Sequence, residues 1–308
     1  MASTPRYDRL PTERPNRASR DLDRLSSLRI ARLMNREDQR AVRAVGQSLP
    51  AVARAVDLIT AALARGGRLF FVGAGTSGRL GVLESAECPP TFGTRPSLVQ
   101  VIMAGGRRSV FRSQEGAEDD ARAATRAVAR RVRSGDVVVG VTASGVTPFV
   151  RAALAAARRR GAATILVACN PARTLGPPAG RPLIIALRPG PEVLAGSTRL
   201  KAGTVTKLVL NMLTTASMVR LGRVYRNRMV DLQPRSRKLR QRAIGLVQEL
   251  AGTSRAAADR ALSAAGGSVR VAIVIARTGR SASEARRALR EAGDLLRGVV
   301  DGTRRFRR

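Results

Sequence analysis

Residues 73–93 read GAGTSGRLGVLESAECPPTFG and follow the apolar run Arg68-Leu69-Phe70-Phe71-Val72. The run has the length and composition of a buried strand, and the glycines and hydroxyls after it form a tight loop that opens a helix. A strand, a Gly/Ser/Thr loop and a helix start together make an anion site, because backbone N–H groups and the positive end of the helix dipole converge there. Two carboxylates, Glu84 and Glu87, and a thiol, Cys88, follow before a Pro-Pro stop at Pro89 and Pro90. The segment therefore suggests both a bound anion and an acid or base beside it.

Outward from it, strand-like runs alternate with amphipathic ones. Strands are expected at 69–72, 98–103, 136–141, 164–167 and 183–187, and helices at 78–86, 114–131 and 149–160. That alternation predicts an α/β fold, a doubly wound parallel sheet whose ligands gather at the carboxyl ends of the strands. Before the sheet, residues 1–20 are rich in Pro and Arg and read as extended. From there to residue 65, Leu25, Leu28, Leu33, Val42, Val45, Leu49, Val52, Val56 and Ile59 recur at helical spacing, with Asp21 or Ser26 placed to cap the first helix. After residue 187 comes the loop RPGPEVLAGSTRLKAGT, then an apolar helix over 202–221 carrying Leu208, Leu210, Met212, Leu213 and Met218, which suits a core or a subunit interface. Beyond Gln233-Pro234 the pattern is helical, and two similar units, Gly252-Thr-Ser-Arg and Gly279-Arg-Ser-Ala, each precede a short Ala/Leu helix. The expected division is an N-terminal extended and helical arm (1–50), a domain built on the parallel sheet (51–235) and a small C-terminal helical bundle (236–308).

Composition narrows the chemistry. The 308 residues hold 56 Lys and Arg against 22 Asp and Glu, a formal charge of +34. Nearly all the cations are Arg, spread along the chain with no dense block before Arg304 to Arg308, which reads as solvated helix faces rather than a nucleic-acid surface. Aromatics are 3% of the chain, too few for the stacking platforms of single-strand binders. No apolar run approaches the roughly 20 residues a membrane span needs, and the first residues lack a secretory h-region. With only Cys88 and Cys169, a disulfide framework and a Cys-cluster metal site are excluded, and a cytoplasmic protein is expected. Histidine is absent, so acid–base chemistry falls to carboxylates, Lys, Tyr or Cys.

Gly73, Gly75 and Gly78 match G-x-G-x-x-G, a weak signal for a dinucleotide site. Such a site wants an acid at the end of the second strand, but Val101-Ile-Met103-Ala-Gly105-Gly106 has none. Thr76 and Ser77 offer hydroxyls that suit a monophosphate or sugar hydroxyls; the plainer alternative is a tight turn with no ligand. Ser144 and Thr147 repeat the pattern after the third strand, and Gly196, Ser197 and Thr198 repeat it before the long helix, with Lys201 as a phosphate partner. Each loop alone reads equally as an ordinary cap. Among Glu84, Glu87, Glu115, Glu118, Asp119, Asp120 and Glu192, Glu87 lies at the mouth of the first loop. The Glu115–Asp119 cluster reads as the charged first turn of a helix.

GAGTSGRLGVLESAECPPTFG, EGAEDD, ASGVTPFV, CNP (Cys169 to Pro171) and GPEVLAGSTRLKAGT closely resemble segments of the N-acetylmuramic acid 6-phosphate etherases of the sugar-isomerase (SIS) superfamily. The resemblance begins near Thr12-Glu13 and runs nearly the whole length. It implies a lyase that cleaves the D-lactyl ether of N-acetylmuramic acid 6-phosphate with two carboxylates: Glu87 as the acid and Glu118 as the second catalytic group. It implies no metal or redox cofactor; the three loops, read by themselves, converge on a phosphorylated, hydroxyl-rich ligand held by Gly75, Thr76, Ser77, Ser144, Thr147, Ser197, Thr198 and Lys201, and a homodimer is expected. Two positions depart from the family pattern: Val146 and Phe149 stand where a basic residue and a tyrosine are common. The competing expectation is a non-catalytic regulator like the glucokinase regulatory protein, though such regulators tend to be about twice as long, with a second sugar-phosphate domain. A phosphosugar isomerase shares the fold but not the ECPPT and EGAED segments.

Overall fold

A computed structural model describes residues 10–170, 182–232 and 236–302. Pro171, Gln233-Pro234 and the Arg304 to Arg308 run lie outside the described residues. Packing divides the chain into two compact units, one of Met1–Ser85 with Ser97–Thr214 and the other of Ala86–Pro96 with Thr215–Arg308.

The first unit opens with three 3-10 turns, Pro11–Glu13, Arg17–Ser19 and Leu22–Arg24, the first two of them where the sequence suggested extended chain. Local bonds win here: Pro11 starts the first turn, and the Asn16 side chain accepts from the Ala18 N–H at 2.9 Å to start the second. Then come α1 (Ser27–Ala44) and α2 (Leu49–Ala64). Ser26 is the N-cap of α1, but its side chain makes no capping bond.

The sheet follows: β1 (Leu69–Gly73), α3 (Gly75–Phe92), β2 (Val99–Met103), α4 (Arg108–Phe111), α5 (Ala121–Arg131), β3 (Val137–Thr142), α6 (Pro148–Arg159), β4 (Ala163–Ala168), β5 (Leu183–Ala186) and α7 (Lys201–Arg220). The strands are all parallel in the order β2-β1-β3-β4-β5, with Gly73 level with Met103 on one side and Val141 on the other. Every residue of β1 and β3 is buried, which is why both read as continuous apolar runs rather than alternating ones. Phe70, Val72, Val138 and Leu166 share one face and pack with Val128 of α5 and Phe149, Val150 and Leu154 of α6. Each such side chain taken from water contributes about 1.5–3 kcal/mol. Gly140 interrupts β3 because a Cβ there would lie 2.7 Å from Val150 and 2.9 Å from Leu154, so α6 seats directly on the strand. At the amino edge, Asp136 accepts from the Arg68 N–H at 2.9 Å and its guanidinium at 2.7 Å, pinning β1 to β3.

Two expectations need correction. The Pro-Pro pair does not stop α3, which runs through Pro89 and Pro90 to Phe92. Near a helix end the two prolines remove only the ladder bonds to the Ser85 and Ala86 carbonyls, and Ala86 is exposed to water. Gly93, at φ +62°, ends the helix and donates to the Pro89 carbonyl at 3.0 Å. The helix expected over 114–131 begins only at Ala121. Gly116 at φ +74° breaks the chain direction, Ala117–Asp119 forms a 3-10 turn, and Asp120 caps α5 by accepting the Ala123 N–H at 2.8 Å. The charge at the helix start is therefore that of Asp120, and Glu118 stands outside the helix.

The second unit holds the end of α3, the end of α7, a short antiparallel pair β6 (Val224–Tyr225) and β7 (Arg228–Met229), and five helices: α8 (Arg237–Ala251), α9 (Arg255–Ala264), α10 (Val269–Thr278), α11 (Ala282–Glu291) and α12 (Leu296–Val300). Ile244, Val247, Leu262, Ile273, Val274 and Leu289 form its core with Tyr225 and Val230. The two repeated segments are helix boundaries. Gly252 and Gly279 end α8 and α10 in the left-handed conformation, and Ser254 and Ser281 cap α9 and α11, Ser281 with Glu284 in a reciprocal capping box. Among the described residues, no helix is long and apolar enough to cross a membrane.

Candidate active site

In a 2-1-3-4-5 parallel sheet the strand order reverses between β1 and β3, and the crevice outside their carboxyl ends is where ligands bind. The first two hydroxyl-rich loops leave those two strand ends. After β1 the chain turns within one residue into α3. The first helical bond is from the Gly78 N–H to the Ala74 carbonyl at 3.2 Å, so the amides of Gly75, Thr76 and Ser77 precede the ladder, at the positive end of the dipole. The turn is this tight because Gly73 and Gly78 touch: a Cβ on Gly78 would sit 2.7 Å from the Gly73 carbonyl oxygen and 2.9 Å from the Met103 sulfur.

After β3, Thr142, Ser144 and Thr147 form a hydroxyl cluster. Thr142 Oγ1 lies 2.7 Å from Thr147 Oγ1 and 3.2 Å from Ser144 Oγ, and Ser144 and Thr147 are 3.3 Å apart. Gly145, at φ +81°, lets its amide reach Thr142 Oγ1 at 3.2 Å, and the Val146 N–H donates to Ser144 Oγ at 3.2 Å. Val146 and Phe149 are both buried, Phe149 within the core under α6, so neither offers a polar contact.

The third loop joins the first at Gly203, in the opening turn of α7. A Cβ there would be 3.6 Å from both the Thr198 carbonyl oxygen and the Thr76 methyl. Thr12 and Asn170 tie the second loop to the third: Asn170 Nδ2 donates to the Ala143 carbonyl at 3.0 Å and to Thr12 Oγ1 at 3.2 Å, while the Thr12 carbonyl accepts the Gly196 N–H at 3.3 Å. Thr12, fully buried, and Asn170, 1% exposed, were passed over as site residues, although both lie in segments that carry the family resemblance. Sequence gives no signal that two residues so far apart share a bond.

Lys201 is placed otherwise than a phosphate ligand. Its ammonium donates to Glu37 Oε2 at 2.9 Å and to the Pro191 carbonyl at 2.8 Å, with the side chain 3% exposed. Glu192, fully buried, accepts the Lys201 N–H at 2.9 Å and the Ala202 N–H at 2.8 Å, so a carboxylate of the protein already fills the amino end of α7. Burial raises the Glu192 carboxyl above its ordinary range, against the pull of those two amides. Burial acts the same way on Glu37, but hydrogen bonds from Lys201, Asn16 and Arg40 and the Lys201 charge outweigh it and hold that carboxyl low.

Of the carboxylates singled out, Glu118 is exposed in the 3-10 turn Ala117–Asp119 of the first unit, a turn that packs against α6. Its neighbour Ala117 lies 3.3 Å from where a Cβ on Gly105 would be, just past the carboxyl end of β2. Glu87 is exposed on α3 and belongs to the second unit. There Gly93, at the end of the same segment, abuts the Asp231 backbone, and Asp231 pairs with Arg223 at 2.8 Å and Arg270 at 2.5 Å. Glu84, one turn earlier, is buried and accepts from Thr214 Oγ1 at 2.6 Å. Among the described residues, no group of three or more Cys, Asp or Glu is placed to hold a metal ion. Burial pushes the Cys169 thiol up to about 12, against a hydrogen bond shared with Thr206, which disfavours the reactive thiolate.

Residues 51–158 match the family model described as the glucokinase regulatory protein N-terminal SIS domain. The chain is 52% identical over 267 residues to the N-acetylmuramic acid 6-phosphate etherase of Symbiobacterium thermophilum, covering 87% of this chain and 88% of that one. It is 51% identical over 292 residues to the protein of the same name from Nostoc punctiforme, covering 94% of each. Among solved structures it is similar to a phosphoheptose isomerase from Neisseria gonorrhoeae, with 16% identity, a TM-score of 0.46, and coverage of 62% of this chain and 97% of that one.

Proposed function

The chain belongs to the N-acetylmuramic acid 6-phosphate etherase family, and on that premise we propose that it releases D-lactate from N-acetylmuramic acid 6-phosphate, leaving N-acetylglucosamine 6-phosphate. The observation that carries this reading is identity of about half the residues over nearly the full length of etherase relatives. The site supports it from a second direction. The amides of Gly75, Thr76 and Ser77, which precede the helical ladder, the Ser144 and Thr147 hydroxyls and the Ser197-Thr198 loop offer donors for a phosphate and sugar hydroxyls at the strand ends where such ligands sit.

The proposed chemistry uses two carboxylates. In the open-chain sugar the C1 aldehyde acidifies the C2 proton. One carboxylate removes that proton, the C3–O bond breaks as the other protonates the departing lactate oxygen, and water then adds across the resulting C2–C3 double bond at C3. The net reaction consumes one water and is neutral in electrons. We assign the acid to Glu87 and the second role to Glu118, with one carboxyl kept protonated by its surroundings. Lys201 drops out as a phosphate ligand in this reading and becomes part of the support of the third loop. We further propose that the protein acts in the cytoplasm as a homodimer, with the half-buried Leu208 and Met212 of α7 contributing to the interface; light scattering that finds a stable monomer would count against the dimer.

The match at residues 51–158 favours one other reading, a sugar-phosphate sensor without turnover. Incubation with N-acetylmuramic acid 6-phosphate separates the two. An etherase releases D-lactate above a Glu87→Ala control; a sensor gains thermal stability from the ligand and releases none.

A further inference from the structure

The arm that precedes the sheet is bonded to the third loop and the start of α7 from four of its residues, Thr12, Asn16, Ser19 and Glu37. Asn16 Nδ2 donates to the Pro191 carbonyl at 3.3 Å, Ser19 Oγ donates to the Val193 carbonyl at 2.7 Å, and the Thr12 carbonyl holds the Gly196 amide. The strongest tie is ionic and buried. Glu37, 4% exposed, takes Lys201 Nζ at 2.9 Å, Asn16 Nδ2 at 2.8 Å and Arg40 Nη1 at 2.6 Å. Lys201 reaches from there to the Pro191 carbonyl at 2.8 Å, so one ammonium clamps both ends of the segment that carries Ser197 and Thr198.

We propose that Glu37 is a positioning residue for the sugar-phosphate site, setting the Ser197-Thr198 loop through Lys201 and Pro191 without itself touching substrate. This rests on the reading of that loop as a substrate contact. The physical ground is charge balance in a closed space. The Glu192 carboxyl is bonded to the α7 amides and feels the Lys201 charge without bonding the ammonium, so Glu37 is the carboxylate in direct contact with Lys201 Nζ. Without Glu37, the buried ammonium keeps only the Pro191 carbonyl as a hydrogen-bond partner and turns toward water, because a buried charge stripped of its direct partner is strongly unfavourable. As it turns it releases Pro191 and disturbs the opening turn of α7. Such a loss weakens binding of ground state and transition state alike, so it appears in KM rather than in kcat.

The test compares Glu37→Gln, Asn16→Ala, Lys201→Met and the Glu37→Gln/Lys201→Met double variant with the full-length wild type, by two readouts. Amide hydrogen exchange without substrate is expected to be about tenfold faster across residues 193–200 in Glu37→Gln, with residues 70–78 unchanged. Unchanged exchange in the loop overturns the proposal. With N-acetylmuramic acid 6-phosphate, KM is expected to rise about tenfold in Glu37→Gln with kcat within about twofold, and the double variant is expected to be no worse than Lys201→Met alone. Full additivity of the two single effects overturns it, since Lys201 would then act on the ligand independently of Glu37. If Glu37→Gln does not fold, Asn16→Ala removes two of the ties without stranding a charge and is expected to give a smaller shift in the same direction; no shift overturns the proposal. A wild type that releases no lactate sinks the etherase reading alone, because the exchange experiment still decides the role of Glu37.

Discussion

At the scale of the residue, the two assigned carboxylates give the sharpest expectation. Glu87→Gln and Glu118→Gln are each expected to lower kcat for lactate release by about 10²–10⁴-fold while product binding changes by no more than a few-fold, since each swap removes a proton-transfer group and leaves its shape. A variant that retains turnover removes that residue from the mechanism. Glu37 and Glu192 respond oppositely to pH. Glu37 is held below its ordinary value of 4.5, so its stabilising effect is present above that value and is lost as pH falls through the lower folded value. Glu192 is raised above 4.5, so its contribution is present below that value and is lost as pH rises through the higher folded one. Urea midpoints between pH 3 and 7 are expected to show a shallower acid decline in Glu37→Gln than in the wild type. A parallel decline would mean that the carboxylate does not carry the effect. Cys88 and Cys169 are each 2% exposed, and an aromatic disulfide reagent is expected to find neither thiol at pH 8 until the chain is unfolded.

At the scale of the element, short-range sterics decide most boundaries. Gly78 exists to let α3 begin against β1. Gly78→Ala brings a methyl onto the Gly73 carbonyl oxygen at 2.7 Å and is expected to cost about 1–3 kcal/mol in stability, read as a lower thermal midpoint, together with loss of sugar-phosphate protection. In the second unit, Ser281→Ala opens the capping box of α11 and is expected to cost about 1 kcal/mol by chemical denaturation; an unchanged midpoint would show that the cap is not limiting. Strand ends and the starts of α6 and α7 were legible to within a residue or two because glycine, proline and apolar runs act on their immediate neighbours, whereas α3 starts three residues before the expected position. Two misread places show where that ends. Pro89-Pro90 reads as a stop, yet a helix near its end tolerates two lost bonds. The Glu115–Asp119 cluster reads as a first helical turn, yet Gly116 bends the chain and passes the capping role to Asp120.

At the scale of the whole molecule, the charge of +34 remains a surface property in our reading. Retention on a polyanion column is expected to be lost by about 200 mM salt and to show no preference between DNA sequences, as counterion release without base contacts requires. Retention that survives that salt, or that depends on sequence, would revive a nucleic-acid role.

By itself the sequence determined the parallel sheet and the three hydroxyl-rich loops, and its family resemblance is the source of the proposal that Glu87 and Glu118 do the chemistry. These depend on periodicity and local backbone chemistry, or on motifs that are contiguous in the chain. Only the tertiary structure decided that Lys201 turns inward to Glu37, that Thr12 and Asn170 bind two loops together, and that Glu192 fills the amino end of α7. Those outcomes depend on which residues meet after folding. Glu37 and Lys201 stand 164 positions apart, and whether a charge faces a ligand or a buried partner is set by what the fold brings beside it.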